Sequence, residues 1–313
     1  MKTVNISGDI LVGVKGFLRL QRVNIHTGKI TQDTGWFQNL ILTAGREQMG
    51  KLDNWMDYCH VGTNSTVPTI NDTSLPGFID STSQVVANSE GQQTLSLPYY
   101  GYRRRTFRFD PGLIGLENLQ EAGIGWGASG STLISRALIL DPILQTPTAI
   151  TPLADEFLDV SYELRYYSPA GEVSGPQVTL NGITYDTVTK AANVNSGYQS
   201  TNIGRKMGVV AGAPYWKAYD GTRGTVLTGP NGAGLNCDND TQYNSTYIDN
   251  SYEIQVNVQA NSAGWNQNIR CILFTTTAGQ FQTEFTANPG GTAIPKTADY
   301  VIQMNWTFGW TAI

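Results

Sequence analysis

Tyr300-Val301-Ile302-Gln303-Met304-Asn305-Trp306-Thr307-Phe308-Gly309-Trp310 is the stretch that decides the fold. Its even positions read Tyr, Ile, Met, Trp, Phe, Trp, and its odd positions after Val301 read Gln, Asn, Thr, Gly. A period of two sends alternate side chains to opposite faces, which predicts a strand with one large apolar face and one polar face. At about 3.3 Å per residue it would extend about 35 Å. An aromatic face of that size needs cover, either from the chain's own core or from another subunit. Val160, Tyr162, Leu164 and Tyr166, and then Tyr252, Ile254, Val256 and Val258, repeat the same alternation. The expectation is therefore burial within the chain, in one core shared by the three strands, with Gln303, Asn305 and Thr307 outside.

Further strands follow from the same reasoning. Val14 to Ile25, the turn His26-Thr27-Gly28-Lys29 and Ile30 to Trp36 read as a hairpin. Tyr102 to Phe109, Leu133 to Leu140, Phe157 to Tyr167, Ile269 to Thr277 and Gln280 to Thr286 also read as strands. Val61 to Pro68 and Leu75-Pro76-Gly77 are too rich in Gly and Pro for regular structure. Helical spacing is found between Asn39 and Leu52, where Leu42, Gly45, Met49 and Leu52 share a face and Thr43 or Asn39 would cap the start. Roughly nine or ten strands and one short helix near residues 40–52 predict an all-β fold, an antiparallel β-sandwich. From about 169 to 250 Gly, Asn, Thr and Tyr dominate, so this part is expected as a loop-rich β insertion into a main domain of residues 1–168 plus 251–313.

Composition narrows the function. Charged residues are 14% of the 313, far below the roughly 25% usual in soluble domains, which suits a surface packed against neighbours. A net charge of −5 offers no electrostatic case for nucleic-acid binding. No apolar run approaches the ~20 residues needed to cross a bilayer, and Met1 to Asn5 lacks the apolar core of a secretory signal. The three cysteines, Cys59, Cys237 and Cys271, do not suggest a disulfide framework, and a reducing compartment is the expectation.

Motifs that could carry chemistry are sparse. Gly125-Trp126-Gly127-Ala128-Ser129-Gly130 matches the glycine pattern of dinucleotide sites, but a strand rather than a helix should follow it. His60 adjoins Cys59, and His26 lies in a turn; neighbouring residues rarely converge as a nucleophile and base. Asp238-Asn239-Asp240-Thr241-Gln242 alternates oxygen ligands without the glycine and glutamate of a calcium loop. Asp155, Glu156 and Asp159 are close in sequence but do not by themselves make a carboxylate pair. The expectation is a non-enzyme without cofactor or metal.

Two groups remain as possible interface. Arg103, Arg104, Arg105 and Arg108 form either a positive strip for an acidic partner or a strand face paired with Glu163 or Asp159. Tyr215, Trp216 and Tyr219, with Tyr185 and Tyr198, either stack on sugars or a protein partner or pack a core.

Several segments together resemble structural proteins of tailed bacteriophages: Gly35-Trp36-Phe37-Gln38-Asn39-Leu40-Ile41-Leu42 with Ala44-Gly45 and Met49-Gly50, then Val61-Gly62-Thr63-Asn64-Ser65-Thr66-Val67-Pro68 with Leu75. Arg105 to Phe109, Ile124 to Gly127, Ser135 to Ile139 and Val160 to Arg165 continue the likeness, which covers about residues 15–167 and extends to the last strands from 252. The resemblance carries no catalytic residues. It implies a subunit of a tail, baseplate, neck or fibre, homo-oligomeric, made in the host cytoplasm and assembled with other virion proteins. A receptor- or carbohydrate-binding module meeting host glycans is the alternative.

Overall fold

Residues Tyr300–Ala312 form one unbroken strand, and the side chains of Ile302, Met304, Trp306, Phe308 and Trp310 are buried inside the same molecule. The computed structural model describes residues 2–194, 203–208, 216–237, 241–260, 266–288 and 290–313. In chain order, β1 (Lys2–Asn24), β2 (Ile30–Asp33), β3 (Phe37–Gln38) and β4 (Leu40–Ile41) lead into α1 (Thr43–Lys51). There follow β5 (Tyr58–Gly62), β6 (Phe78–Thr82), β7 (Val85–Gln93), β8 (Tyr100–Phe109), β9 (Glu121–Gly125), β10 (Leu133–Leu138) and β11 (Glu156–Tyr167). Next come β12 (Val173–Leu180), β13 (Ile183–Asn193), β14 (Trp216–Tyr219), β15 (Gly234–Asn236), β16 (Thr241–Ile248) and β17 (Glu253–Ala260). The chain closes with β18 (Gln267–Ile269), β19 (Cys271–Thr276), β20 (Gly279–Asn288), β21 (Ile294–Lys296) and β22 (Tyr300–Ala312). The fold is all-β, with a single short helix among the described residues, as the alternation predicts.

The largest sheet runs β16-β17-β22-β1-β11-β8-β7, with β2 and β3 also on β1. β1 is long enough to serve two partners in turn. Its first part, Lys2 to Val14, pairs with β22 in parallel; its second, Gly13 to Asn24, pairs with β11 antiparallel. The β1–β22 ladder is the one parallel pairing among the described residues, an exception to the antiparallel expectation. The three strands matched by alternation thus lie in one sheet and contribute to one apolar face.

Two smaller sheets cover that face. The sheet β4-β10-β9-β5-β6 places Val61, Ile124, Ile134 and Ile139 in one buried cluster with Leu18, Leu20, Phe107, Phe109 and Val160. The sheet β12-β13-β20-β19-β14-β15 supplies rings against β22. Phe274 stacks on Trp306 at 4.5 Å between centroids, and Phe281 meets Phe308 edge-on at 5.8 Å. The sheets do not follow the boundaries expected at 169 and 250. β19 and β20, from beyond 250, sit inside the sheet that β12–β15 build, while β16, from before 250, pairs with β17 in the large sheet. Composition drops where turns are dense, whereas sheet membership is set by which strands meet.

The helix also departs from expectation at its start. Its N-cap is Leu42, in extended conformation and without a side-chain cap bond. Asn39 instead turns inward and donates to Ser135 Oγ at 2.6 Å. Gly45 explains the docking of α1: a Cβ there would lie 2.1 Å from the Ile134 carbonyl oxygen of β10. From its other side the helix takes the indole of Trp310, which donates to the Arg46 carbonyl at 3.0 Å.

Candidate functional site

Strand register decides what the arginines do. On β8, Arg104, Thr106 and Arg108 share the outer face and lie opposite Glu163, Ser161 and Asp159 of β11. Arg108 makes a two-point contact with Asp159, 2.7 Å at both oxygens, and those bonds hold its guanidinium above the ordinary pKa. Arg104 donates Nε to Glu163 at 3.0 Å and lies over the Trp36 ring. Arg165 reaches the other oxygen of Glu163 at 2.6 Å and stacks over Phe17 and Tyr100. One strand further, Arg19 pairs with Asp33. This half of the outer face is a lattice in which Arg108 and Arg19 each meet a separate carboxylate and Arg104 and Arg165 share Glu163. Of the two readings of the strip, the paired strand face is the one the geometry holds for Arg104 and Arg108.

Arg103 and Arg105 point the other way. Arg105 donates to the Met56 carbonyl at 3.0 Å and pairs with Asp57; Arg103 donates to the Ile203 carbonyl at 2.9 Å and to Asn88 at 3.2 Å. Together they line a cleft of about 370 Å³ with Asp57 and Tyr58. Burial, then the charge of Arg105, lowers the pKa of Arg103.

The aromatic group separates. Trp216 is 2% exposed and stacks on Phe274 at 5.3 Å and on Trp306 at 5.4 Å, so it belongs to the core and not to an interface. Its surroundings in sequence are polar, but β14 is the strand that brings it onto β22 through β19. Tyr219, on the other face of β14, is half-buried, and burial raises its pKa. Tyr185 is buried. Tyr198 and Tyr215 lie outside the described residues, as do residues 238–240 of the oxygen-rich loop.

The remaining motifs find structural settings. Gly125 ends β9, and the turn after it leads into β10, so no helix follows the glycine pattern. Cys59 and His60 are both buried on β5, where neighbouring side chains face opposite ways. Burial pushes the Cys59 thiol up and brings the His60 imidazole down to about 4, so at neutral pH one holds its proton and the other lacks it. Asp155 accepts from Asn24 at 2.8 Å, Glu156 pairs with Arg22, and Asp159 belongs to Arg108. Among the described residues no group of three His, Cys, Asp or Glu side chains could hold a metal ion, and no helix is long and apolar enough to cross a membrane.

Two features lay beyond the reading of the sequence. The first is a buried ion network. Arg136, 1% exposed, donates Nε to Glu121 at 2.8 Å, pairs with Asp72, and donates to the Thr66 carbonyl at 2.9 Å. Glu121, 0% exposed, also accepts the Gly77 amide at 2.9 Å. The network pins the irregular 63–77 stretch onto β9 and β10. Its signal was there to be used: a charge inside the apolar run Leu133 to Leu140 demands a partner.

The second is the edge of the large sheet. Among the described residues β7 pairs only with β8, and it exposes nearly every residue, Val85 and Val86 among them. The connection that follows carries Leu95 at 98% and Leu97 at 61% exposure. An exposed strand edge with apolar side chains is a template for pairing with another chain. The residues 85–93 lack alternation, because neither face is covered. In comparison with known proteins, no family model matches the chain and no curated protein matches it in sequence.

Proposed function

We propose that this chain is a structural subunit of a tailed-bacteriophage particle, acting through contacts between subunits in the tail, baseplate, neck or fibre apparatus. On this reading it is made in the host cytoplasm, associates with copies of itself and joins other virion proteins. The carrying observation is the open β7 edge with Val85, Val86, Leu95 and Leu97 beside it. Those residues are poor surface for a lone molecule and good surface for strand addition or for the apolar centre of an interface.

The segments that resemble phage proteins support the same reading. Thr66 and Arg136 meet in the buried network, and Leu75 bonds through its amide to the Gly130 carbonyl at 2.8 Å beside them. These are residues that keep a shape. The test is light scattering coupled to sizing chromatography, with Val86→Lys as the edge variant, and mass spectrometry of purified particles. A multimer that Val86→Lys disperses, and the chain's presence in particles, are expected. A wild-type monomer that is missing from particles would refute the proposal.

A further inference from the structure

The outer face of the large sheet changes character across β1. On the β11–β8 side, side-chain bonding capacity is consumed by the ion pairs described above. On the β22–β17 side it is not. Ser7, Asn305 and Asn257 stand in one cross-strand row, and Asp9, Thr307 and Gln255 in the next. Among the described residues, these six side chains have no hydrogen-bond or ion-pair partner within the chain. They line one cavity of about 410 Å³, within the range of about 300–1,000 Å³ typical of small-ligand sites.

The cavity has a wall because β12 passes the free edge of β1. Past Val12, β1 is flanked by β11, but Ser7 to Asp9 have β22 on one side only. Gly175 of β12 comes so near that a Cβ there would lie 2.9 Å from the Ser7 carbonyl oxygen. The first residues of β12 thereby close the side that the sheet leaves open, with Pro176 as an apolar surface.

We propose that this cavity binds a neutral glycan chain. Its lining chemistry selects that class. No Lys or Arg lines it, and the one charge is the Asp9 carboxylate, so phosphate, sulfate and acidic sugars meet repulsion with no compensating cation. A protein interface would want a larger apolar centre than Val173, Pro176 and Trp306, which are outnumbered in the lining by seven polar side chains. Vicinal hydroxyls are both donors and acceptors. Asn257, Asn305 and Gln255 offer both functions, and Asp9 accepts from two hydroxyls at once. Within a row the side chains stand about 4.8 Å apart from one strand to the next, comparable to the spacing of successive sugar rings. The inference rests on the cavity alone and holds whichever part of a particle the chain occupies.

The test is titration calorimetry of the full chain with maltohexaose, cellohexaose and mannohexaose, and with polygalacturonate and polysialic acid as acidic controls. At least one neutral hexasaccharide should bind. Asn257→Ala with Asn305→Ala should weaken it about tenfold or more, with the thermal midpoint unchanged. Asp9→Ala, at an exposed position, gives the same reading if the double variant folds poorly. Failure of all three neutral sugars to bind at millimolar concentration, binding unaltered in the variants, or equal binding of the acidic polymers would each overturn the proposal.

Discussion

Removing Arg136 should be far more damaging than removing Arg136 and Glu121 together. Both side chains are sealed from solvent, at 1% and 0% exposure. Arg136→Met leaves the Glu121 carboxylate in the interior with the Gly77 amide as its remaining partner. Breaking a buried pair in this way costs about 3–5 kcal/mol. Glu121→Leu is milder, because Arg136 retains Asp72 and the Thr66 carbonyl, and about 2–3 kcal/mol is expected. The double variant has no buried charge at this pair. Asp72, 20% exposed, can turn to water, and what remains is the unpaired Gly77 amide and Thr66 carbonyl. Orphaned groups of that kind cost about 1–3 kcal/mol in total. The singles sum to about 5–8 kcal/mol, so a coupling of at least about 2 kcal/mol should appear in the cycle. Urea unfolding of the four proteins measures it, provided the slope against denaturant stays constant. Additive costs would show that the charges do not depend on each other, and the reasoning would fail.

Two further perturbations probe the core. His60 is buried with neither ring nitrogen bonded, and burial lowers its pKa from 6.5 to about 4. The unfolded chain takes up this proton as pH falls below 6.5 and the folded chain only near 4, so the neutral ring's share of stability is complete above 6.5 and is lost between 6.5 and 4. His60→Leu should flatten the unfolding midpoint across that window; an unchanged slope would exclude His60 as its source. Gly45→Ala should destabilise by about 1–3 kcal/mol, since the contact with Ile134 outweighs the ~1 kcal/mol that alanine gains in a helix. A more stable protein by thermal melting would contradict the docking described for α1.

The strands that carry most of the apolar face were readable because their two faces differ in chemistry. One-sided burial of β17 and β22, and apolar against ion-paired faces on β11, write a period of two into the residues. Pairing was not readable in the same way. Nothing in the alternation of Tyr300 to Trp310 specifies a parallel neighbour, nor that this neighbour is the first strand. The arginines show the same limit. Their spacing on β8 was visible, but which carboxylates face them is a matter of register between β8 and β11, and register settled Arg104 and Arg108 as paired. Trp216 misled for a different reason. Its strand is four residues long, with Pro214 before it and Asp220-Gly221-Thr222 after it, so composition spoke for surface while Phe274 and Trp306 held it inside. Gly45 was legible as a weak helix former, and its positive purpose as a contact point was not. The amide rows of the cavity come from three strands far apart in the chain, and only their assembly makes them a site.

The parallel ladder between β1 and β22 has a kinetic consequence. The sheet's central strand finds its neighbour some three hundred residues later, so on the ribosome Lys2 to Val14 must wait for Tyr300 to Ala312. At about 5–20 residues per second the wait is on the order of 15–60 s. Throughout it, Ile6, Ile10 and Val12 have no strand on their β22 side and no Trp306 or Phe308 beside them. Pairing across such a separation closes a loop of nearly the whole chain, the kind of contact that slows folding. Nascent molecules crowded on one message would meet one another's vacant first strands before their own last ones, and fast synthesis or a chaperone that holds the N-terminal segment would favour the correct partner.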